Sequence, residues 1–143
     1  MRLYKALILS ILLYNAEVWT IKAQDTKALE GAHFSMMRSM MNLDADTHMS
    51  RGEMMLALHL HDLSDYIRQK RMRWIGHALR RKDGDRSKIA VLETLADQAS
   101  PWTKMVMQDC QKLNLNLEEI PKLAADRISY RHVTHVCTGL PCA

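Results

Sequence analysis

The chain has little of what stiffens or staples small folds. Its 143 residues include five glycines, three prolines, one phenylalanine and three cysteines. Cys110, Cys137 and Cys142 are odd in number and scattered, so they form no disulfide framework. They fit a reducing, intracellular setting, nucleus or cytoplasm, better than secretion. The apolar run Ala6 to Leu13, behind Arg2 and Lys5, is too short to span a bilayer. Tyr14, Asn15 and Glu17 make a poor cleavage region, which argues against a secretory signal and for a buried helix. That run is apolar on all sides and needs several neighbours, a hint that the chain is a piece of something larger. Strand-like alternation and internal repeats are missing. So are a glycine-rich phosphate loop and a recognisably spaced Ser, His and Asp set, which disfavours a hydrolase.

What is present points to helices. Apolar residues make up 48% of the chain, enough for a packed core and too many for a disordered tail. The expected fold class is mainly α, a small bundle of about five to seven helices with no convincing sheet. Asp25 or Thr26 can cap a helix whose face carries Leu29, Ala32, His33, Met36, Met40 and Leu43. His33 on that stripe reads as a packed core histidine. Ser50 and Glu53 form a capping box for a short helix ending at Leu58 or Leu60. Ser64 can cap the next helix, and Gly84 suits its end. Further helices are expected over Lys88 to Ala99, from Ser100-Pro101, and from Pro121 to about Val136, before a frayed tail at Thr138 to Pro141. Apolar helices over residues 1–62 would precede a basic helix and C-terminal helical region over 63–143, or the two would form a single domain. Eleven methionines suggest packing that is loose or open to a partner.

The charge is local. Net charge is +4. Residues 66–90 hold nine basic and two acidic residues, a net +7, against −3 for the rest. Within Arg68 to Lys82, seven of fifteen residues are Lys or Arg and none is acidic. Leu60, Leu63, Ile67, Trp74, Ile75 and Ala78 still recur at helical spacing, so one face can be buried while cations fan out around it. Such a helix suits a polyanion, because guanidinium forks match phosphate oxygens. The candidate nucleic-acid-binding residues are Arg68, Lys70, Arg71, Arg73, Trp74, His77, Arg80, Arg81 and Lys82. Arg71 lies on the apolar side, where it either pairs with a buried carboxylate or points into a cleft. Trp74 could stack a base or brace the helix, and its place on the stripe favours bracing. Gly76 inside a helix costs about 1 kcal/mol against Ala, which argues for a close approach there by backbone or phosphate.

Three segments, in order, resemble the region past the polymerase palm of non-LTR (LINE-type) retrotransposon reverse transcriptases. Leu13-Tyr14-Asn15-Ala16-Glu17-Val18-Trp19-Thr20 is similar to that family's LYGAEtWT segment. Arg71 to Arg81 resembles its RRLRWLGHVLRR segment, the most specific of the three. Trp102 through Cys110, then Ala125 to Arg131, resembles a closing pattern of W, D and A.DR..WR, with Tyr130 where Trp is common. The resemblance implies a helical C-terminal thumb and post-thumb portion that grips template–primer and the element's own RNA. On it, Arg71, Arg73, Trp74, Gly76, His77 and Arg80 are the family-matched residues, and residues 1–62 are thumb-like.

Departures from the family bear on activity. The paired metal-binding aspartates of the FADD type are missing, and Asp44-Ala45-Asp46 is isolated in a loop. The endonuclease domain and the stretch rich in Gly, Arg and Pro are missing too. Two-metal chemistry needs carboxylates fixed close together, so the chain alone is not expected to be an enzyme. No metal or cofactor is expected. His59 and His61 point apart on a helix, and His132, His135, Cys137 and Cys142 do not match a zinc knuckle in order or spacing. The expected partners are RNA or DNA and the missing polymerase core, with no membrane. The alternatives are a helical protein-interaction module, for which the methionines speak, and a decayed remnant without a nucleic-acid role.

Overall fold

Apolar residues three and four apart bury a stripe when the chain is helical, and each segment here meets that demand with helix. A computed structural model describes residues 3–136; the expected frayed tail lies outside them. Among the described residues there are eight α-helices and no strand, and none of the helices is long and apolar enough to cross a membrane. The described residues divide into two compact units, 3–14 with 21–66, and 15–20 with 67–136.

In the first unit, a π-type helix over Tyr4–Leu9 runs into α1, Ser10–Leu12. Tyr4, Leu9 and Leu13 are buried, but Leu3, Leu7, Ile11 and Tyr14 stay exposed. The run is thus helical as expected and only half covered. The second helix, α2, spans Ala23–Met40. It starts earlier than Asp25 because Asp25 acts from inside the first turn, accepting the Lys22 backbone N–H at 3.3 Å. Arg38, in its last turn, donates to the backbone carbonyls of Asp44 and Thr47 and ties down the following loop. The capping box appears at α3, Arg51–Ala57, with Ser50 N–H donating to Glu53 at 2.8 Å and Glu53 N–H to the Ser50 hydroxyl at 3.3 Å. Arg51 joins Glu30 at 3.1 Å and Asp62 at 2.6 Å. Met37 and Met54 are fully buried, so these two act as core filler.

The second unit is built on α4, Leu63–Leu79, from Ile67 onward. Asp85 caps α5, Arg86–Ala96, accepting the Ser87 N–H at 2.9 Å. Pro101 opens α6, Pro101–Lys112. The expected last helix is two. Asp126 breaks it into α7, Ile120–Ala125, and α8, Arg127–Val136. Its carboxylate accepts the Ile128 N–H at 2.9 Å and the Ser129 hydroxyl at 2.5 Å, an N-cap that favours a fresh start over continuation. The core packs Met72, Ile75, Val91, Val106, Ile120 and Tyr130, all buried.

His33 is fully buried in the first unit and shares a 2.7 Å hydrogen bond with the Tyr4 hydroxyl. Burial holds its imidazole below the ordinary value, the Arg51 charge adds to this, and the His61 backbone, Asp62 and Glu30 oppose it. Below about pH 6.5 the unfolded chain therefore takes a proton that the folded chain refuses, and stability falls with pH. Urea midpoints measured down from neutral pH are expected to drop for the wild type and to drop less for His33→Gln. Parallel curves for the two proteins would contradict this.

Candidate nucleic-acid interface

The basic helix sorts its cations by where the helical period puts them. Positions 68, 71, 72, 75 and 79 share one face of α4, and all five residues there are buried. Arg68 and Arg71 are therefore interior, only 6% and 2% exposed. This corrects their placement among the residues facing a polyanion. Arg71 Nη1 donates to Asp109 Oδ2, and Arg68 Nε lies 3.8 Å from Asp109 Oδ1. Burial pushes the Asp109 carboxyl above its ordinary range, while Arg71, Arg68 and Lys112 pull it back. Of the two fates open to Arg71, pairing with a buried carboxylate is the one realised. Asp109 had a signal in the sequence, since Trp102, Val106, Asp109 and Cys110 are spaced to share the buried stripe of α6. A carboxylate on one buried stripe answers arginines on another.

Trp74 braces. It is half-buried against the core and meets Trp102 edge-on at 5.9 Å and 87°. The Trp102 indole N–H donates to the Glu17 carbonyl at 2.9 Å. The 3₁₀ turn Ala16–Val18, entered through Asn15 at φ 59°, is held in the second unit by this bond.

Gly76 has a close neighbour, and it is protein. A Cβ there would stand 2.3 Å from Tyr130 Cε1. The Tyr130 hydroxyl donates to the Met72 carbonyl at 2.6 Å, so its ring lies flush on the α4 backbone. Burial raises the phenol pKa, Cys110 adds to that and Arg80 opposes it. Thus residues 15–20 of the first resembling segment, the segment 71–81, and the closing residues 102–110 and 125–131 converge in one unit through Glu17, Trp102, Trp74, Gly76 and Tyr130.

The other candidates lie outward. Arg73, His77, Arg80, Arg81 and Lys82 are exposed, and Lys70 is half-buried. The helix ends at Leu79, short of the expected Gly84, so Arg80, Arg81 and Lys82 sit in the turn that follows. Arg80 Nη1 donates to the Ala124 carbonyl at 3.1 Å, and its guanidinium stands 5.8 Å from the Tyr130 ring centroid. Arg81 Nη2 lies 3.3 Å from His77 Nε2. Arg131 of α8 joins this surface. Burial, then Arg131, then Arg73, hold the His135 imidazole below its ordinary value, the mark of a locally positive field. Gln69 Nε2 lies 3.2 Å from His135 Nδ1, which sets α8 beside α4 there. Arg131 was not among the candidates, because only the packing of α8 brings it near Arg73.

Among the described residues no cluster of three or more His, Cys, Asp or Glu side chains could hold a metal ion. Cys137 and Cys142 lie outside them. The Cys110 thiol is buried and pushed up to about 11 by burial and by Asp109, which leaves it a poor nucleophile at neutral pH.

Asp109→Asn, which removes the buried carboxylate that Arg71 donates to and Arg68 lies beside, is expected to cost about 3–5 kcal/mol in urea denaturation. Replacing the set together as Arg68→Met, Arg71→Met and Asp109→Leu is expected to recover most of that loss. A benign Asp109→Asn would show that the pairing does not hold the unit. Gly76→Ala is expected to destabilise by about 1–3 kcal/mol through overpacking, despite a helical gain of about 1 kcal/mol. In a Tyr130→Ala background the same change should stabilise instead; destabilisation in both backgrounds would rule out the clash.

Comparison with known proteins finds a transposon-derived relative. The chain is 24% identical over 106 residues to an uncharacterized transposon-derived protein of Caenorhabditis elegans. The likeness covers 70% of this chain and 35% of that protein, so the chain spans about a third of its relative's length. No protein-family model matches the sequence, and no solved structure matches it either. The chain is thus similar, in most of its length, to a protein of transposon origin.

Proposed function

We propose that this chain is a nucleic-acid-binding, catalytically incomplete C-terminal piece of a transposon-encoded reverse transcriptase of the non-LTR type. In this reading it holds template–primer or the element's own RNA by the sugar–phosphate backbone, and a polymerase core supplies the chemistry. The observation that carries the reading is the outward cationic surface of Arg73, Arg80, Arg81 and Lys82, with Arg131 beside it. Solvation alone would not call for cations gathered this way on one surface while the rest of the chain is net negative. Phosphate contacts position a strand and read no sequence, so broad affinity is expected. The likeness to a transposon-derived protein supports the same reading.

Ionic strength tests it. Four cations displacing counterions give a log–log slope of affinity against salt of about −3 to −4 on duplex DNA. Fluorescence anisotropy at several salt concentrations is expected to show that slope. Arg73→Gln, Arg80→Gln and Arg81→Gln together should flatten it by about 3, while the Arg68, Arg71 and Asp109 triple variant should leave it alone. Unchanged affinity in the glutamine variant would reject the surface.

A further inference from the structure

The end of α4 and the turn after it, α5 and α7 line an open groove of about 430 Å³. That volume falls within the roughly 300–1,000 Å³ typical of small-molecule sites. Its lining mixes two chemistries, the cations Arg80, Arg81 and Lys88 with the apolar Leu79, Leu92, Pro121 and Ala125. Arg80 is held in place by the Ala124 carbonyl and the Tyr130 ring, so its remaining donors are already oriented. Lys88 pairs with Asp83 at 2.5 Å, and Asp83 is almost fully exposed. An ion pair so wet is weak, and a phosphate can take the carboxylate's place. Leu92 is 41% exposed, an apolar side chain left open to the groove.

We infer that this groove takes one unpaired nucleotide of the bound strand, with its phosphate on Arg80, Arg81 and Lys88 and its base against Leu92, Pro121 and Ala125. The inference rests on the nucleic-acid reading above and narrows it. A duplex offers phosphates but keeps its bases stacked, which would leave the apolar lining residues unused. A base outside the stack can lie between apolar side chains. Arg73 on α4 and Arg80 just past its end lie about 10 Å apart along the helix direction, so one strand can touch the exposed arginines and then enter the groove.

The test compares a blunt duplex with the same duplex carrying a short single-stranded overhang, by anisotropy at one salt concentration. The overhang is expected to bind about tenfold tighter. Ala125→Glu and Leu92→Glu, each of which puts a carboxylate in the groove and repels the phosphate, should each bring that ratio to about one, with folding checked by circular dichroism. Equal affinity of the wild type for both duplexes, with the salt slope intact, would overturn the groove assignment and leave the wider function standing. An overhang advantage kept in both variants would overturn it as well. Binding of labelled adenosine monophosphate without any overhang advantage would mark a free-nucleotide site and end the proposal for a strand. Failure to bind either duplex would remove the nucleic-acid function itself.

Discussion

The second unit depends on one contact, the Tyr130 ring packed against Gly76. Only a residue without a Cβ lets a ring come that near a helix axis. The hydroxyl reaches the Met72 carbonyl and fixes how far the ring goes in. Once seated, Tyr130 sets α8 against α4, places Arg131 near Arg73 and His135, and offers its ring to Arg80. The outward cationic surface is thus a product of an inward fit. A bulkier residue at 76 would disturb the surface without touching any of its charges.

The second organising constraint is electrostatic. Two guanidiniums and one carboxylate are buried together at Arg68, Arg71 and Asp109. Desolvating three charges costs several kcal/mol per ion, and their attraction offsets this only in good geometry. Such a group is weak evidence of stability. Its clearer physical effect is to penalise any register of α6 on α4 that leaves a charge alone. It also separates the basic helix into two chemistries, since a guanidinium buried against Asp109 is not presented to a phosphate in solvent. Arg73, Arg80 and Arg81, beyond the buried stripe, are exposed to the outside.

Much of the fold was legible because its signals are local. The Ser50–Glu53 box and the Pro101 start lie within a few residues of the helices they begin; the box forms its hydrogen bonds as expected, and α6 opens at Pro101 without a side-chain bond from Ser100. Where reading failed, a nearer competitor won. Asp126 caps a new helix and divides what looked continuous, and the basic helix stops at Leu79 instead of Gly84. The apolar run Ala6 to Leu13 was expected to be covered, yet Leu7 and Ile11 face outward. Periodicity cannot say how many neighbours a helix has.

The sequence alone determined helical class, a concentrated positive charge, and the need for something close at Gly76, because composition, period and glycine's cost act over a few residues. It also narrowed Arg71 to two fates. Tertiary structure alone chose between them, since Asp109 stands 38 residues away and only packing brings the two charges together. It likewise decided that a tyrosine, not a phosphate, fills the space at Gly76, and that Arg131 belongs with Arg73. Pairings across such separations depend on how whole helices seat on one another, and no local pattern encodes that.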